Sequence, residues 1–112
     1  MLGKKLKWYP VFSSKEEFEE NFGIDCSFVK RTIYGEFLFV RDNGEYYAFK
    51  NRCPHQNQPM DNCSIKEGAL ICPFHQYKFS LKDGRGHGLY VQKYELKFEE
   101  QVWIGVEKWA LF

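Results

Sequence analysis

The chain of 112 residues has no hydrophobic run near the length of a membrane span, which needs about 20 consecutive apolar residues. Its opening, MLGKKLKWYP, is basic but has no apolar stretch or small-residue cleavage site behind it. A secretory leader is therefore not expected. Charge of one sign is lacking as well. Sixteen basic against fifteen acidic residues leave +1, which argues against a broad nucleic-acid surface or a polybasic membrane anchor. Internal repeats, low-complexity tracts and linkers are missing, as are a nucleophile–base pairing and a phosphate-binding glycine motif. The expectation is one domain, 1–112, in the cytoplasm, where thiols stay reduced. Its four cysteines then read as ligands or packing residues rather than disulfides.

Aromatic residues, by contrast, make up 19% of the chain, which fits a core of large rings on β-strands. KWYPVF (7–12), SFVKRTIY (27–34), EFLFVR (36–41) and EYYAFK (45–50) read as strands, broken by Gly35 and by the hairpin signal DNG at 42–44. Short strands follow at 69–72 and 77–81, between the turns KEG (66–68) and KDGRGHG (82–88). YVQKYELKF (90–98) and QVWIGV (101–106) each place alternate apolar residues on one face. One exception is SSKEEFEENFG (13–23), a short helix with Ser13 or Ser14 as its cap, Glu16 or Glu17 three residues on, and Gly23 at its end. Some eight to ten short strands in about a hundred residues point to a small antiparallel sandwich or barrel.

The chemistry lies in NRCPHQNQPM (51–60) and ICPFHQYKF (71–79). Cys53 and His55 have one residue between them, Cys72 and His75 have two, and sixteen residues separate the pairs. A single zinc usually takes its first ligands from positions two to four residues apart. The narrower spacing favours two metals, each pair giving one ligand to each, while a structural zinc module with this Cys₂His₂ set is the alternative. Of the other candidates, Cys26 beside a strand reads as a small buried hydrophobe. Cys63 reads as a packing or partly exposed thiol, and His87 as a solvated loop residue.

This pattern, with a proline after each cysteine and the strands around it, resembles the Rieske family of [2Fe-2S] proteins over about residues 36–106. The resemblance implies an all-β Rieske-type sandwich or barrel with a cluster-binding subdomain, its loops at about 51–62 and 71–80. The helix at 13–23 would be an elaboration. It also implies one [2Fe-2S] cluster, with Cys53 and Cys72 on the inner iron and His55 and His75 on the outer. The chain would be an electron carrier rather than an enzyme, serving a flavin-dependent reductase and a terminal oxygenase or similar acceptor. The alternative within the resemblance is an accessory subunit of a larger enzyme, similar to the small subunit of assimilatory nitrite reductase. Docking would fall on the loop tips Gln56, Asn57, Gln58, Pro59 and Met60 with Phe74 and Gln76, which are uncharged and imply weak salt dependence. Asn57 and Gln76 stand where many members have glycine. High-potential members carry extra cysteines at the positions of Gln58 and Phe74, and hydroxyls at those of Tyr77 and Phe79. No disulfide can form between Gln58 and Phe74, Phe79 has no hydroxyl, and the bulkier Tyr77 would place its own beyond the sulfur, which together imply a low potential.

Overall fold

The computed structural model describes residues 2–54, 58–61, 63–73 and 77–111, with side chains described from Lys5 to Glu107. Its elements run β1 (Leu2–Phe12), α1 (Lys15–Glu20), β2 (Ser27–Thr32), β3 (Gly35–Asp42), β4 (Glu45–Lys50), β5 (Ser64–Lys66), β6 (Ala69–Ile71), β7 (Lys78–Ser80), β8 (Arg85–Gly86), β9 (Leu89–Tyr90), β10 (Lys93–Phe98) and β11 (Val102–Leu111). Six strands form one curled antiparallel sheet in the order β1-β11-β10-β4-β3-β2. The three strands β5-β6-β7 and the two strands β8-β9 make separate small sheets. The all-β expectation holds, and no described helix is long and apolar enough to cross a membrane.

Strand β3 explains how the two parts are joined. Side chains alternate across a strand, and here both faces are covered. Phe37 and Phe39 enter one core with Phe12, Phe18, Phe22, Val102 and Ile104. Leu38 and Val40 enter the other, with Phe49, Cys53, Met60, Leu70, Cys72 and Phe79. A strand buried on both faces needs a continuous apolar run, and Phe37-Leu38-Phe39-Val40 is one. The cysteines thus rest on the same strand that carries the main aromatic core.

Helix α1 closes that aromatic core. Ser14 caps it by accepting the Glu17 N–H at 3.1 Å, while the Glu17 carboxylate turns back to the Ser13 N–H at 3.2 Å. Phe18 is fully buried, with the rings of Phe12, Phe22, Phe28, Phe39, Tyr46 and Phe98 at 5.0–6.0 Å. Six ring neighbours at edge or tilted angles account for the high aromatic content.

Several boundaries differ from the sequence reading. β1 begins at Leu2 rather than 7, and β11 runs to Leu111 rather than 106, because the two pair antiparallel from Leu2↔Leu111 to Phe12↔Val102. Backbone pairing between chain segments about a hundred residues apart is invisible to local pattern. β5 and the β8–β9 hairpin were not expected; they are two or three residues long and depend on their neighbours. Three X-Gly pairs, Asn43-Gly44, Glu67-Gly68 and His87-Gly88, have positive φ at both residues and make tight two-residue hairpin turns. Cys26 is exposed, not buried. Its carbonyl accepts the Arg41 N–H at 2.8 Å, but it precedes β2, so its side chain is outside both cores.

Candidate metal centre

The first loop leaves β4 through Asn51, a fully buried polar residue. Its Oδ1 accepts the Met60 N–H at 2.8 Å and its Nδ2 donates to Asp61 Oδ1 at 3.0 Å. The amide thereby joins the start of the loop to its far end. Asp61 also receives Arg31 at 3.4 Å, and Arg31 in turn meets Glu36 at 3.0 Å. The Asn51 hydrogen bond, with the nearby Arg31 charge, holds the Asp61 carboxyl below its ordinary range. Alanine at position 51 would strand the buried Met60 N–H without a partner. We expect Asn51→Ala to cost about 2 kcal/mol, read by denaturant unfolding of the purified protein; an unchanged midpoint would show that the amide does not hold the loop.

Each cysteine begins a loop closed in the same way. The Cys53 N–H donates to the Gln58 carbonyl at 2.7 Å, and the Cys72 N–H to the Tyr77 carbonyl at 2.8 Å. Cys53 follows a strand of the large sheet and Cys72 follows β6 of the small one, yet both are buried and their sulfurs lie 3.2 Å apart. That separation is too long for a disulfide of about 2.05 Å. It approaches the roughly 3.7 Å between two sulfurs on one tetrahedral metal with bonds of about 2.3 Å. Two buried thiols converging from separate loops suit a shared metal. No third Cys, Asp, Glu or His joins them among the described residues.

His55 and His75, with Gln56, Asn57, Phe74 and Gln76, lie outside the described residues. Of the other docking candidates, Gln58 is exposed and Pro59 partly so. Met60 is corrected: it is fully buried in the core beneath the cysteines. Its apolar chain fills the space under the loop, and its carbonyl accepts the Cys63 N–H at 3.2 Å. Cys63 packs in the same core, where burial pushes its thiol up to about 11. Without a metal it therefore stays protonated at neutral pH, and it packs as a small apolar side chain.

Sequence reasoning undervalued His87. It is exposed, but its ring stacks on Tyr77 at 4.6 Å and its Nε2 accepts the Lys78 N–H at 3.2 Å. It pins the β8–β9 hairpin to the strand leaving the second loop. Its only early signal was its place before Gly88 in a two-residue turn.

The family described as Rieske [2Fe-2S] domain matches residues 7–95. Apoptosis-inducing factor 3 from Homo sapiens is 34% identical over 83 residues, covering 70% of this chain. The ferredoxin component of the alkene monooxygenase system of Xanthobacter autotrophicus is 35% identical over 77 residues, covering 64% of this chain and 63% of that protein. The chain spans only 14% of the length of apoptosis-inducing factor 3. Among solved structures, the terminal oxygenase of carbazole 1,9a-dioxygenase from Nocardioides aromaticivorans superposes over 87% of this chain and 29% of its own, with a TM-score of 0.71 at 18% identity. That likeness shows the shared fold.

Proposed function

The chain belongs to the Rieske [2Fe-2S] family, and from that premise we propose that it is a one-electron carrier between a flavin-dependent reductase and an oxygenase or similar acceptor. When bound, the cluster supplies reversible one-electron storage. Cys53 and Cys72 hold the inner iron, and His55 and His75 the outer. The observation that carries this reading is the buried pair of sulfurs 3.2 Å apart, each from a loop whose next histidine is two or three residues on. Likeness to a ferredoxin component of a monooxygenase system supports a carrier rather than a catalyst.

The residues around the sulfurs set the expected potential. Phe79 is fully buried and has no hydroxyl to offer, and the Tyr77 ring lies against His87. Hydrogen bonds to sulfur favour the reduced state, so the missing hydroxyl at Phe79 lowers the potential. We expect uptake of one electron per chain near the low end of the Rieske range, about −150 mV. The expected potential is also flat between about pH 6 and 8. Voltammetry with a coulometric titration tests both; a positive midpoint or a clear slope across that window would contradict the low-potential carrier.

A further inference from the structure

The near-zero net charge conceals an uneven distribution. Residues 50–93, the segment that holds both cysteines, contain seven basic and three acidic side chains. The remaining residues contain nine basic and twelve acidic ones. The cysteine-bearing part is thus net +4 and the rest net −3.

Within the basic part lies a groove of about 400 Å³ between the first ligand loop and the β8–β9 hairpin. Lys50, Arg52, Cys53 and Pro54 line it from the end of β4 and the first loop, and Leu89 and Tyr90 from the hairpin. Tyr90 is 66% exposed and Leu89 37%, so a hairpin two residues deep presents two large apolar side chains to water. Exposed apolar side chains beside basic ones are the make-up of a protein-docking surface.

We propose that this groove receives an acidic segment of the redox partner, carrying an apolar side chain between its carboxylates. The apolar side chain packs on Leu89 and Tyr90 while the carboxylates meet Lys50 and Arg52. Such a partner sits beside Cys53. The two basic residues make docking steeply salt-dependent, where the uncharged loop tips alone imply weak dependence. The inference rests on the carrier reading and adds to it the side of approach and the partner's charge.

A fluorescein-labelled peptide, Glu-Glu-Phe-Glu-Glu-Leu-Glu-Glu, titrated with the cluster-loaded protein and followed by anisotropy, tests the groove. Binding should weaken as salt rises from about 20 to about 200 mM. Lys50→Glu/Arg52→Glu should weaken it at least about tenfold. Tyr90→Ser should weaken it about threefold, leaving the salt slope unchanged. The distant reversal Lys7→Glu/Lys15→Glu should have much less effect. An equal loss in the distant pair, or none in Lys50→Glu/Arg52→Glu, would overturn the proposal. So would a thymidine oligonucleotide bound more tightly than the peptide through the same two residues, since the surface would then belong to nucleic acid. Visible absorbance of each sample separates the two readings: a loaded protein indifferent to charge reversal sinks only the groove, whereas a wild-type protein with no cluster sinks the carrier.

Discussion

Alanine at His55 or His75 is expected to abolish the visible absorption of the cluster or convert it, while the same change at exposed Lys66 leaves it intact. A histidine ligand removed from a metal leaves an open coordination site, which invites water and loss of the ion. Alanine at Cys53 or Cys72 should be at least as damaging. Each of these sulfurs is buried, and neither pocket wall offers a third described ligand to take its place. Iron and sulfide content of the purified variants should fall from near two of each per chain to a small fraction of that. The sheet should survive in all four variants, because its aromatic core is built from β1, α1, β2, β3, β4 and β11. Far-ultraviolet circular dichroism checks this separation. Unchanged cluster content in both histidine variants would remove the ligand assignment.

Gly86→Ala should destabilise the fold by about 3 kcal/mol or more. A methyl group there would overlap the Lys78 carbonyl oxygen and stand 3.3 Å from the Phe79 Cα. Both neighbours are backbone of β7, so no side chain can swing aside. The β8–β9 hairpin would have to lift, breaking the bond from Lys78 to His87 and the stack on Tyr77. The second ligand loop ends at Tyr77, whose carbonyl holds the Cys72 N–H, so faster cluster loss should accompany the lower stability. Gly88→Ala is the comparison. Gly88 has a φ of +76° but open space around its would-be methyl, so only the backbone strain of about 1–2 kcal/mol applies. Equal effects at the two positions would show that close approach to β7 is not what position 86 requires.

Some features were legible in the residues because their causes are local. The run Phe37–Val40 announces a strand buried on both faces, and Ser14 with Glu17 announces a helix start. The cysteine spacings announce two converging loops because ligand chemistry constrains positions close in sequence. Features set by distant contacts were not legible. The full length of β1 and β11 depends on their pairing with each other, and β5, β8 and β9 exist only against neighbouring strands. Met60 read as a loop-tip residue because its neighbours are polar, whereas a hydrogen bond from its N–H to Asn51 turns the loop inward there. Cys26 shows the converse, since residue type favours burial but its position ahead of β2 leaves it outside. The basic groove was hidden because Lys50, Arg52 and Tyr90 become neighbours only when the hairpin folds back on the first loop.

The central claim is that one cluster is held by two thiolates and two imidazoles, and pulsed electron paramagnetic resonance of the reduced protein addresses it most directly. In a reduced pair the net spin would be shared by both irons, so nitrogens bound directly to one of them would couple to it. The account predicts couplings from two distinct imidazole nitrogens in wild type, with no two-nitrogen signal in His55→Ala or His75→Ala. A paramagnetic cluster with no directly bound nitrogen, or a protein that contains zinc and no iron, would contradict it.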